Sequence, residues 1–170
     1  MSVMTMKIDP ASYADVLTVA RDMRDRDFDE FSAVSSADTR EDLARLLAER
    51  YGGRADVLCA GDDEGPICIG GTIEARPNVL TLLFFATDRF PLIALPATRF
   101  IRNNLLPRFF AAGVHRVEAV SMAGYDGAHQ WLELLGLERE TRPLLGYGKR
   151  GEAFVQFSKV IDVGTFGFGS

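Results

Sequence analysis

The chain has 170 residues, 47% hydrophobic and 25% charged, the proportions of one globular domain long enough to bury a core. Its net charge of -5 argues against a protein that tracks nucleic-acid phosphates, which needs a basic face. No apolar run reaches membrane-spanning length and the start lacks a signal-peptide core, so a cytoplasmic location and no membrane partner are expected.

The first expected element is a strand over 3–8. Asp9 and Pro10 then offer an N-cap and a first-turn proline for a helix running to about Arg26, with Tyr13, Val16, Leu17, Ala20 and Met23 inward. Residues 27–36 read as a loop carrying Phe28, Phe31 and Val34. Asp38 or Thr39 caps a second helix through Tyr51, striped by Leu43, Leu46 and Leu47 and ended by Gly52-Gly53. Strands over 55–60, 66–76 and 79–87 follow, separated by turns at 61–65 and Pro77-Asn78. The glycine pair 70–71 predicts a bulge, and the run 79–86 is apolar on both faces, as a central strand is. Cys59 and Cys68 would lie nearly opposite each other in a symmetric hairpin, and both are expected to be buried, reduced thiols.

A third helix spans 95–112, stopped by Gly113 and kinked or divided at Pro107. A strand over 115–122 leads to a helix within 124–137, where Ala128, Trp131, Leu132 and Leu135 recur at helical spacing before Gly136. A hairpin pair closes the chain around 137–145 and 152–160. Residues 1–161 read as one domain and 162–170, with Phe166 and Phe168, as a peripheral tail. Gly146-Tyr-Gly148-Lys-Arg-Gly151 spells a dinucleotide-binding pattern, but a strand follows it, so a hairpin turn is expected. His115 and His129 read as surface residues. With two separated cysteines they assemble no metal set.

The order β-α-α-β-β-β-α-β-α-β-β covers nearly the whole chain. With Asp-Pro-Ala-Ser-Tyr-Ala-Asp15 opening the first helix and Trp131 to Leu137 closing the fourth, it resembles the GNAT acyltransferases. That resemblance implies an α/β fold with a mixed, splayed central sheet, acetyl-CoA as acyl donor and an amine as acceptor. The segments Trp-Leu-Glu-Leu-Leu-Gly136, Gly-Tyr-Gly148 and Gly-Glu-Ala-Phe154 look most similar to a phage-encoded acetyltransferase-like subgroup, some members of which are virion or internal-head proteins. A non-catalytic structural protein, in host cytoplasm or virion, is therefore the alternative. The Phe/Gly tail and the apolar 28–34 segment point weakly to a protein partner or a homo-oligomer.

The resemblance places acetyl-CoA between 82–87 and 115–122, its arm bonded by backbone at Phe84, Phe85 and Ala86. Its pyrophosphate belongs at the third helix start, on an Arg/Gln-x-x-Gly-x-Gly/Ala turn. One register sets Arg89, Leu92 and Ala94 on that turn; another sets Pro96 and Thr98 on the glycines. Both lose the first glycine, and Arg89, Arg99 or Arg102 would compensate by pairing phosphate directly. The family's proton-donating tyrosine falls on Leu132, which leaves Tyr125 or Tyr147 as substitutes. Glu74 and Glu118, each in an apolar strand, are the candidate general bases.

Overall fold

The computed structural model describes residues 5–162. Part of the expected first strand and residues 163–170 of the tail lie outside the described residues. Seven strands form one mixed sheet in the order β1-β2-β3-β4-β5-β7-β6. They are β1 (Lys7–Pro10), β2 (Val57–Asp62), β3 (Gly65–Arg76), β4 (Val79–Ala86), β5 (Arg116–Met122), β6 (Glu138–Arg139) and β7 (Phe154–Val160). Helices α1 (Tyr13–Arg21), α2 (Asp25–Ala33) and α3 (Arg40–Tyr51) precede β2. Helices α4 (Ala94–Phe100) and α5 (Leu106–Ala111) join β4 to β5, and α6 (Asp126–Leu134) follows β5.

Alternation along the strands builds a core on each face. One face of β2–β4 sends Val57, Cys59, Ile69, Leu83 and Phe85 against Val16, Val19 and Ala20 of α1 and Leu43 and Leu47 of α3. The other sends Ala60, Cys68 and Ala86 against Phe90, Ile93 and Ala97. Beyond them, Ala119, Val155 and Phe157 of β5 and β7 pack on Leu132 and Leu135 of α6. Cys59 lies opposite Ile69 while Cys68 lies opposite Ala60, so the two thiols face different cores. Both are free, and burial pushes each up to about 12.

Several expectations are corrected. Asp9 and Pro10 belong to β1, paired with Cys59 and Leu58. Helix α1 begins instead from Ser12, whose side chain accepts from Asp15 N–H while Asp15 reaches back to Ser12 N–H, a capping box. It ends at Arg21, because Met23 turns into a bridge with Thr87 at the end of β4. The expected loop over 27–36 is helix α2, carrying Asp25 and Asp27 in its first turn, where acids favour the helix dipole. Tyr13 is exposed; Val19 is the inward residue the stripe omitted.

The glycines at 70 and 71 form no bulge: the register shifts fall at Ala60/Gly61 and Glu74/Arg76. Gly71 serves a close approach, since a Cβ there would sit 2.5 Å from the Asp56 carbonyl oxygen. Pro107 does divide the third helix, as its missing N–H requires. A π-helical turn, Ile101–Leu105, absorbs the interruption between α4 and α5. Thr39 caps α3, accepting from Asp42 N–H. Gly136 closes α6 at φ 98°, a backbone that favours glycine. The Gly146–Gly151 turn leads into β7 with no helix after it.

Candidate active site

Strands β4 and β5 run parallel but pair at three positions, Val79–Arg116, Leu80–Val117 and Thr81–Glu118. Beyond Thr81 they part, and a cavity of about 460 Å³ opens between them and extends to both faces. Two contacts show which peptides face the gap. Ala86 N–H donates to Asp27 Oδ2 at 2.9 Å, and Ala86 O accepts from Arg24 N–H at 2.9 Å. Ala86 therefore turns its backbone away from β3. Two residues back along the strand, Phe84 turns its N–H and C=O to the same open edge. Phe85 faces the other way, opposite Ile69, with its ring fully buried.

Helix α2 crosses the mouth of the gap. Asp27 and Glu30, three residues apart, share one helix face. Asp27 is 4% exposed and also accepts from Arg24 Nε at 3.1 Å and Tyr125 OH at 2.6 Å. Glu30 reaches the opposite strand: its Oε2 accepts from Ser121 Oγ and Met122 N–H, both at 2.9 Å. Burial pushes the Glu30 carboxyl up to about 7, although those two donors and Arg24 favour its charged form. Burial, then the bond to Asp27, pushes the Tyr125 phenol up as well. Arg26 donates to the Gly124 carbonyl at 2.8 Å and stacks over Tyr125, tying α2 to the turn before α6.

The architecture has close counterparts among solved structures. A GNAT-family acetyltransferase from Bacillus anthracis superposes with TM-score 0.66 at 13% identity, covering 94% of this chain and 97% of that one. The ribosomal-protein-S18-alanine N-acetyltransferase of Escherichia coli gives 0.66 at 14%, covering 98% and 100%. The yncA protein of Salmonella typhimurium, solved with its cofactor acetyl-CoA, gives 0.64 at 16%, covering 94% and 96%. The fold is that of the GNAT acyltransferases. No family model and no curated relative matches the sequence itself.

On this GNAT frame the expected residues separate. Phe84 and Tyr125 line the cavity. Ala86 reaches it through Asp27. Thr98 reaches it through Trp131, whose Nε1 donates to Thr98 Oγ1 at 3.0 Å. The Trp131 ring lies 4.3 Å from Phe84, with Phe90 edge-on to both and the Arg24 guanidinium 5.5 Å from the Phe90 ring centre. Leu132, expected at the family's tyrosine position, is buried in the α6 core.

The remaining expected residues stand elsewhere. Glu74 is exposed, opposite Leu80 where the strands are still paired. Glu118 lies at the last paired position and accepts from Arg116 at 2.7 Å and Arg76 at 3.4 Å. Arg89 is held by Asp62 at 2.6 Å and Glu64 at 3.2 Å, which leaves it less free to pair phosphate. Ala94 opens α4, whose third residue, Pro96, has no N–H to offer. Arg99 is exposed on that helix. Among the described residues no His, Cys, Asp or Glu group is arranged to hold a metal ion, and no helix is long and apolar enough to cross a membrane.

Arg24, Asp27, Glu30 and the wall formed by Trp131 are not among the residues expected from the sequence. A signal was present: Asp27, Glu30, Phe31 and Val34 recur at i, i+3, i+4 and i+7, one face of a helix.

Proposed function

We propose that this chain transfers an acetyl group from acetyl-CoA to an amine in the gap between β4 and β5. The observation that carries the reading is the open β4 edge at Phe84 inside the cavity, an unpaired strand position suited to an amide-bearing arm. Phe84, Trp131, Ala97 and Ile101 supply an apolar wall for that arm. The phosphates would rest on the Ala94 and Leu95 amides and Arg99, a thinner seat than a glycine-rich turn makes. Phe84 N–H is the donor placed to polarise a carbonyl held at this edge.

Trp131 is the only tryptophan and lies against the cavity, so its emission reports directly on occupancy. Acetyl-CoA is expected to change that emission, and at ~100 times its Kd to stabilise the fold by about 2.7 kcal/mol. Release of free thiol on adding an amine then establishes transfer. Unchanged emission up to about 1 mM acetyl-CoA, the upper end of ordinary KM values, would sink the proposal. That result would leave the alternative, a GNAT-fold structural or interaction protein such as a phage virion component.

A further inference from the structure

We propose that the acceptor is a small monoamine with an apolar body, and that Glu30 takes the proton its ammonium group carries. This rests on the acyl-transfer reading above.

On the α2 side of the gap the cavity walls include Phe31, Val34, Val120 and Phe154, all apolar. Two carboxylates interrupt them, and they are not equivalent. Both oxygens of Asp27 are occupied, by Arg24, Ala86 N–H and Tyr125 OH. Glu30 spends one oxygen on Ser121 and Met122, while Oε1 takes no donor among the described residues. One negative charge in the chamber is thus left to meet a ligand cation, which suits one ammonium group and penalises a second.

The charged and titratable groups around Glu30 are Arg24 and Asp27 of α2, Tyr125 before α6, and His129, whose Nε2 lies 3.0 Å from the Met122 carbonyl oxygen. Arg24 is already paired with Asp27. Val34 is 51% exposed and Tyr147, 45% exposed, stacks on Phe154 at 4.8 Å. The cavity of about 460 Å³ must hold the donor's arm together with the part of the acceptor that enters it, so that part is small.

The step balances without another reactant. Glu30 Oε1 takes one proton from the ammonium group. The freed nitrogen lone pair forms the C–N bond as the thioester C–S bond breaks. The electron pair and the second amine proton depart on sulfur, giving the amide and free thiol. Glu30 then returns its proton to water. Burial that holds this carboxyl near 7 suits a base working at neutral pH.

The test compares hexylamine, phenethylamine and spermidine as acceptors in a thiol-release assay. The two monoamines are expected to exceed spermidine in kcat/KM by about tenfold or more, since a second ammonium group has no partner. Glu30→Gln keeps an acceptor for Met122 and Ser121 but takes no proton. It should lower kcat by about 10²–10⁴ and remove the acidic limb of the rate profile near pH 7, leaving the Trp131 response to acetyl-CoA intact. Turnover within about threefold of wild type with that limb retained would overturn the role of Glu30, and preference for spermidine would overturn the monoamine. If wild type itself gives no Trp131 response, the acyl-transfer reading fails and this one with it. Val34→Asp, at an exposed position, tests the acceptor without touching Glu30. It should raise KM for hexylamine and shift preference toward spermidine, and an unchanged preference counts against the proposal.

Discussion

Glu30 destabilises the fold at the pH where it would act. Its folded value of about 7 stands above the ordinary 4.5, so between those values the folded state binds more protons than the unfolded one. The stability present below about pH 4.5 is therefore lost as pH rises through 7. Above that, the charged carboxylate sits in an apolar chamber. Glu30→Gln should raise unfolding stability at pH 8 by roughly 1–3 kcal/mol and change it little at pH 4.5. Urea midpoints at the two pH values measure this. A Gln variant no more stable at pH 8 would argue that the chamber is wetter than the surrounding Phe31, Val34 and Phe154 imply. Greater stability with lower turnover is the pairing expected of a working residue held in a strained electrostatic setting.

At the level of elements, α2 determines how the splayed sheet is held. Asp27 bonds β4 and the start of α6, Glu30 bonds β5, and Lys149 N–H from the β6–β7 connection donates to Ala33 O at 2.7 Å at the helix's far end. Asp27→Ala would leave Arg24 without its carboxylate and free Ala86 N–H and Tyr125 OH together. A loss of about 3–5 kcal/mol in denaturant unfolding is expected; a loss below about 1 kcal/mol would mean that water replaces Asp27 readily. This element was also the least legible. Helices α3 and α6 could be read because leucines recur at helical spacing and Thr39 or Gly136 marks an end. In α2 the inward positions include an aspartate and a glutamate beside Phe31 and Val34, so the apolar residues alone do not trace its buried face. The acids point inward because peptide groups of the parted strands need partners, a demand that arises only after the sheet assembles.

In the whole molecule, two sheet halves meet through three residue pairs of β4 and β5 and are bridged by α2. That arrangement makes the two edges of β4 unequal. Leu83 and Phe85 are paired toward Gly71 and Ile69 of β3, whereas Phe84 turns its peptide to the cavity. Amide hydrogen exchange should therefore be faster at Phe84 than at either neighbour, and acetyl-CoA should slow it. Equal protection across the three amides would mean that the gap closes in solution. The cysteines follow from the same topology. Because Cys59 and Cys68 occupy different cores, the hairpin that brings their backbones near also keeps their sulfurs apart.

By itself the sequence determined the elements whose signals are local. These are the strand runs of β2, β3 and β4, the stripe and cap of α3 and α6, and the interruption that Pro107 imposes on the third helix. From their order and the resemblance it carries the fold class followed, and that resemblance aligned Leu132 with the family's tyrosine. Tertiary structure decided which polar groups share the gap. Glu74 and Glu118 sit in apolar runs yet end at the closed, paired part of the sheet, while Asp27 and Glu30 come from a charge-rich stretch and end inside it. Apolar periodicity reports which face of an element is buried. It carries no record of where two parallel strands separate, and the proposed chemistry depends on that separation.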